Sequence, residues 1–240
     1  MMIAPERLAR LAKPSLICAA AVAANLLVML LRNLWYFSLF VDTVFTVAVT
    51  FALGPIAGVA VAALTWAADS AIAIVLGVGV QRFHPFVLVA IVEVLIVHRL
   101  RPADRLSMRG PARDPEERDE RVFRIFGVFM RLTVVYAACV VAVSVLGGAI
   151  DFLYHAVIGV ERPHDTGLTV LVMASARGGL PAFAAGVLSR VQVVFLDRLF
   201  VVFGGFLVSM MIDRIAGVMV ARQPSIRICC VFCCRTKHQP

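Results

Sequence analysis

Between Ser15 and Ile215 the sequence is a succession of unbroken apolar runs, separated by short breaks that carry most of the arginines. A helix of about 20 apolar residues is what the hydrocarbon core of a bilayer requires. A soluble fold has no place for so many such runs. Composition points the same way: 61% of the 240 residues are hydrophobic, 16% are charged, and the mean hydropathy is +0.93. Soluble domains are nearer half apolar and a quarter charged. The longest polar stretch, from Arg99 to Arg124, is too short to form a globular unit with its own core. The expectation is one all-α polytopic membrane domain over residues 1–240.

Six runs read as spans: residues 15–32, 38–54, 55–79, 84–98, 123–150 and 191–215. The third opens on Pro55, a residue suited to the first position of a helix. The basic start and apolar run at the N-terminus fit a signal peptide, but no A-x-A-like cleavage site follows Leu31, so an uncleaved first span is preferred. A further apolar segment, Leu168 to Leu188, is interrupted by Arg177, Gly178, Gly179 and Pro181. It reads either as a seventh span or as a re-entrant or short-helix segment near 168–190.

Charge separates these two. The net charge is +8, and the arginines cluster in three places. Arg7, Arg10 and Lys13 precede the first span. Eight arginines from Arg99 to Arg124 surround the loop at 99–122. Arg222, Arg227, Arg235 and Lys237 lie in the tail at 216–240. The positive-inside rule puts all three in the cytoplasm. Four crossings then precede the central loop and two follow it, and 168–190 enters and leaves from the outer side. Irregular backbone at that depth is tolerated only against protein or a watery cavity. The basic loop also suits anionic lipid headgroups. The charge is read as topology, and no nucleic-acid partner is expected. A prokaryotic cell inner membrane, with both termini cytoplasmic, is the expected location.

Ionisable residues inside a membrane are costly and mark function by default. Asp42 begins the second span at the outer face, where capping that helix is its plainer role. Asp69 lies about 21 Å along the third span at 1.5 Å per residue, and Trp66 shares its helical face. Gln81 belongs to the outer turn between spans three and four. Asp151, Tyr154 and His155 end span five. Asp197 and Arg198 open the last span on the same side, either in a site or as an interfacial pair. Asp42, Trp66, Asp69, Gln81, Asp197 and Arg198 are therefore candidates for an outward-opening polar cavity. Glu93 and Arg131 sit at equal depth near the inner ends of neighbouring spans, which suggests a structural ion pair. Ala19, Ala20, Ala23 and Ala24 form overlapping A-x-x-x-A patterns, and Gly54 and Gly58 a G-x-x-x-G, spacings that permit close helix approach.

The sequence holds no G-x-x-x-x-G-K-[ST] or G-x-G-x-x-G phosphate loop. It holds no G-x-S-x-G or H-E-x-x-H either. Its five histidines lack metal spacing. Cys18 and Cys139 fall within spans, as small hydrophobes. The tail run ICCVFCCR lacks the paired loops of a zinc site, leaving reduced thiols, lipidation or metal binding as readings. No enzyme activity and no cofactor are expected.

The stretch V-D-T-x6-T-F-A-L-G-P-I-A-G-V-A-V-A-A-L-T, Val41 to Thr65, resembles the second and third spans of substrate-binding (S) components of energy-coupling-factor (ECF) vitamin transporters. The stretch F-L-D-R-L-F-V-V-F-G-G-F-L-V, Phe195 to Val208, is similar to their final span, with Arg198 where lysine is usual. The resemblance implies a six-helix unit that captures a small nutrient, a vitamin or precursor, at the outer face. It implies transport with a separate transmembrane coupling subunit and two ATPases, docked through Ala19 and Ala23. A related module forms the membrane half of sensor histidine kinases, with similar D-T, T-G (here Thr166-Gly167) and late D-K signatures. The absence of a kinase domain after the last span favours the transporter. The alternatives are a sensor or assembly subunit without transport, and a proton-linked carrier acting alone.

Overall fold

The computed structural model describes residues 5–35, 43–76, 86–102, 115–159 and 167–216. Asp42, Gln81 and the cysteine-rich tail lie outside them. The described residues are 94% helical and contain no strand. The order is α1 (Pro5–Trp35), α2 (Val44–Leu53), α3 (Pro55–Val75), α4 (Phe86–Leu100), α5 (Pro115–Phe152), α6 (Gly167–Arg177), α7 (Ala182–Leu199) and α8 (Gly205–Ala216). A π-helical turn, Leu153–Val157, extends α5, and a second, Phe200–Gly204, joins α7 to α8. In lipid only a backbone that satisfies its own hydrogen bonds is admissible, which is why helix accounts for nearly everything.

Four helical stretches among the described residues are long and apolar enough to cross a membrane: Lys13–Leu31, Pro55–Val75, Glu116–His155 and Ala182–Arg214. With α2 and α4 shorter, at 10 and 15 residues, the chain has the character of a membrane-spanning protein. Its outer surface fits that medium, since Leu16, Ile56, Leu64, Leu88, Phe126 and Leu207 are all exposed.

The last span begins earlier than its apolar run suggests. Arg190 ends that run in the sequence, but nothing between Ala182 and Leu199 breaks a helix. The α7 helix therefore continues through Arg190 as far as Ala182. The interrupted segment near 168–190 divides accordingly. Its first limb is α6, the turn lies at Gly178–Leu180, and its second limb is the start of the long last helix.

Ring contacts fix the helix directions. Phe129 lies beside Phe203, Tyr136 beside Phe195, and Phe152 beside Phe183, so α5 runs antiparallel to α7–α8. Thr43 meets Arg198 and Phe51 meets Phe206, so α2 runs parallel to α7–α8. The core lies where these helices meet α4: Val47, Val97, Val128, Val135, Cys139, Val201 and Val202 are buried together. A second cluster joins α1 to α2 and α3 through Ala21, Val49 and Val61. Its polar centre is Asn25, whose Nδ2 donates to Thr46 Oγ1 at 2.9 Å and Thr65 Oγ1 at 3.4 Å.

The α2–α3 hairpin turns on Gly54, with φ 101° and ψ −178°, followed by Pro55 at the first helical position. That backbone region is essentially restricted to glycine. A Cβ at Gly54 would meet nothing within 4 Å, so strain alone sets the effect of a substitution. Gly54→Ala is expected to lower stability by about 1–3 kcal/mol, measured by thermal or denaturant unfolding in detergent. Wild-type stability in that variant would refute this account of the turn.

Candidate functional site: a buried charge cluster

From α7 through the π-helical turn into α8, the buried positions include Gly186, Arg190, Val194, Asp197, Arg198, Val201 and Phe206. They form one inward stripe at helical spacing, and most of what lines it is apolar. The polar exceptions include Ser189, Ser209 and three charged residues, and Arg190 and Arg198 meet partners distant in sequence.

Arg198 is the centre of the first group. Its Nη1 donates to Glu93 Oε1 on α4 and to Thr43 Oγ1, at 3.1 Å, just before α2. Its Nε and Nη2 both donate to Asp197 Oδ2, at 3.0 and 2.6 Å. Glu93, Asp197 and Arg198 are exposed by only 1%, 0% and 3%. Four of the five N–H groups of a guanidinium are thus directed at two carboxylates and a hydroxyl. Burying such charges is tolerable only with this degree of pairing.

The cluster is deep. Asp197 lies about 22 Å from the start of α7 at Ala182, and Glu93 about 10 Å from each end of α4, at 1.5 Å per residue. Asp197 and Arg198, expected at the opening of the last span, are near the middle of the long helix, because that helix begins at Ala182. Glu93, expected to pair with Arg131, is instead bonded to Arg198, while Arg131 lies on an exposed face of α5. Equal distance from the helix ends could not show which face of α5 Arg131 occupies.

A second group lies about 12 Å along α7, eight residues before Arg198. Arg190 Nη2 approaches Asp151 Oδ1 at 3.4 Å, and His155 Nε2 lies 3.6 Å from the same oxygen. The Arg190 guanidinium stands 5.1 Å from the centre of the Phe86 ring, a cation–π distance. It fits against α5 because residue 147 is glycine: a Cβ there would lie 3.1 Å from Nη1. Sequence reasoning noted Asp151 and His155 but missed Arg190, which falls just outside the apolar run taken as a span. A seven-residue spacing from Asp197 was the available signal, since it lies close to two whole helical turns.

Both charge groups adjoin the π-helical turns, Leu153–Val157 and Phe200–Gly204. Such turns insert an extra residue and often occur at functional sites. Trp66 and Asp69 are half-buried on α3. The α3 helix touches α4 at Gly58, opposite Val94, and Asp69 is about 16 Å from that point along the helix. The structure therefore brings Glu93, Asp197 and Arg198 together, adds Thr43, and leaves Trp66 and Asp69 further along the bundle. Ala19 and Ala23 face outward from α1, opposite buried Ala21 and Asn25.

Fold and site together define the class: an all-helical protein suited to a membrane, with a few paired charges buried in its interior. No family model matches the chain, and neither a curated protein nor a solved structure matches it.

Proposed function

We propose that the chain is the membrane substrate-capture unit of an ECF-type transporter, binding a small nutrient such as a vitamin or its precursor from the outer face. One observation carries this reading. The V-D-T signature before α2 and the L-D-R signature in α7 lie 155 residues apart, yet Thr43 of the first accepts a hydrogen bond from Arg198 of the second. Two separate stretches resemble the S components, and their polar residues meet. The Gly54-Pro55 hairpin of the same resemblance forms a tight turn.

In this reading the bundle crosses six times, through α1 to α5 and the α7–α8 helix, with α6 packed on α7 and both termini in the cytoplasm of a prokaryotic cell. Asp69 and Trp66, with Asp42 and Gln81, contact the nutrient. Asp197 and Arg198 form the floor of the site, and Glu93 and Thr43 hold that floor in place. Ala19 and Ala23 offer a small-residue face to a coupling subunit, which works with two ATPases. The chain itself performs no chemistry and needs no cofactor.

Purification from cells in rich medium, followed by mass spectrometry of the released small molecules, tests this directly. The expected result is one nutrient at near-stoichiometric amount, lost in Asp69→Ala while the melting profile is retained. A stable kinase partner with no ligand would replace capture by sensing. Uptake into liposomes by the protein alone, driven by a pH gradient, would replace it by a carrier.

A further inference from the structure

We propose that the outward face of α5 formed by Arg124, Gly127 and Arg131 binds the phosphate of an anionic membrane lipid. At 38 residues α5 is about 57 Å long, against roughly 30 Å of hydrocarbon. The surplus lies at its N-terminus, since no residue from Glu116 to Gly127 is buried and the first that is buried is Val128. Val89 of α4 clusters with Val140 and Val143, and Val97 with Val128 and Leu132, so α4 runs antiparallel to α5. The α4 helix ends at Leu100, just past Val97. Arg124 therefore stands at the end of the bundle. Arg131 is about 10 Å further in, on a stretch apolar enough to cross a membrane.

Both arginines are exposed. Their seven-residue spacing is close to two helical turns, so they share a face. Gly127 lies between them, and a Cβ there would meet nothing within 4 Å. A long helical side chain leans over the turn before it, and for Arg131 that turn holds Gly127 and leads toward the end of the bundle. An arginine near a helix end snorkels in that way toward the headgroup layer. The surface around it is apolar, with Phe126, Phe129, Met130 and Val134 exposed. Neither arginine has an ion-pair partner among the described residues. Glu93, the acid at matching depth, is bonded to Arg198. From Val122 to Ile150 α5 contains no acid. Glu116, Glu117, Asp119 and Glu120 occupy its first two turns, where the helix dipole favours acids, and Glu117 is held by Arg121. A guanidinium matches phosphate in geometry as well as charge, and two of them flanking a glycine leave room for one. Because the surrounding surface meets acyl chains, the phosphate that reaches this face is one attached to them.

This site is independent of nutrient capture, since it lies on the outside of the bundle. Native mass spectrometry of the full chain in detergent, with phosphatidylglycerol and phosphatidylcholine added in equal amounts, counts the lipid retained. The wild type is expected to prefer phosphatidylglycerol by about thirtyfold, roughly fivefold for each arginine. R124Q and R131Q each reduce the preference to about fivefold, and the double variant abolishes it. R177Q, which removes an exposed arginine at the opposite end of the bundle, leaves it unchanged. G127E keeps both arginines and sets a carboxylate between them, four residues before Arg131, the favourable order for a helical ion pair. It is expected to abolish the preference while melting at or above the wild-type temperature, which separates loss of lipid from loss of fold. Equal retention of the two lipids by the wild type, a preference that survives in the double variant or in G127E, or an equal loss in R177Q overturns the proposal. So does displacement of the lipid by inorganic phosphate, the mark of a soluble-anion site. A stable dimer whose formation excludes the lipid also overturns it, since the face would then be a protein interface.

Discussion

Arg198→Met is expected to destabilise the protein by about 3–5 kcal/mol, the usual result of removing one partner from a buried ion pair. Methionine fills much of the same volume with an unbranched apolar chain, so packing is not the main loss. The substitution leaves Glu93 and Asp197 buried with no guanidinium between them and deprives Thr43 Oγ1 of its donor. Arg198→Lys is expected to recover only part of the loss. An ammonium has no fixed fork with which to reach two carboxylates and a hydroxyl together. The triple variant Glu93→Gln, Asp197→Asn, Arg198→Met removes every charge and is expected to recover most of it, as apolar or neutral replacements of buried ion pairs commonly do. Unfolding of the four proteins in the same detergent measures the series. A single Arg198→Met variant as stable as the wild type would mean that the cluster is hydrated and not buried.

Gly148→Ala is expected to cost about 1–3 kcal/mol, the range for adding a methyl group to a filled interior. On α5, a Cβ at position 148 would lie 2.6 Å from Val187 Cγ2 and 3.0 Å from both the backbone nitrogen and Cα of Val187 on α7. The valine methyl can rotate, but the backbone cannot withdraw without moving the helix. Across the contact stands Gly186, where a Cβ would lie 3.6 Å from the Gly148 carbonyl oxygen. Small residues on facing helices are what allow membrane helices to pack closely, and this pair brings Arg190 within reach of Asp151. The control is Gly127→Ala on the same helix, where a Cβ would meet nothing within 4 Å. It is expected to be neutral or slightly stabilising, because alanine is the better helix former. Equal melting of Gly148→Ala and Gly127→Ala would show that α5 and α7 do not depend on this contact.

How much of this was legible in the sequence can be judged residue by residue. The helical class and the membrane character follow from apolar runs of bilayer length. The Gly54-Pro55 turn was legible because few other dipeptides make that backbone. Asp197 and Arg198 were identifiable as unusual because an acid and a base inside an apolar run have no ordinary explanation. Their depth was not, since the boundary at residue 191 rested on Arg190 being too polar for a span. A buried partner makes an arginine tolerable at that position, and the sequence of one helix does not contain its partner. Glu93 was recognised as an ion-pair member, but depth along a helix leaves its rotation open, and rotation decides between Arg131 and Arg198. Thr43 carried no signal beyond its place in the V-D-T stretch, because a threonine hydroxyl becomes significant only when a donor reaches it.

The sequence by itself determined the solvent. With runs this long and this apolar, the chain must form helices whose outer faces meet lipid, because unsatisfied backbone is inadmissible there. The tertiary structure alone decided which charges neutralise one another. That choice depends on how each helix is rotated about its axis and how closely two backbones approach, and packing sets both through contacts between residues more than a hundred positions apart, such as Glu93 with Arg198 and Thr43 with Arg198.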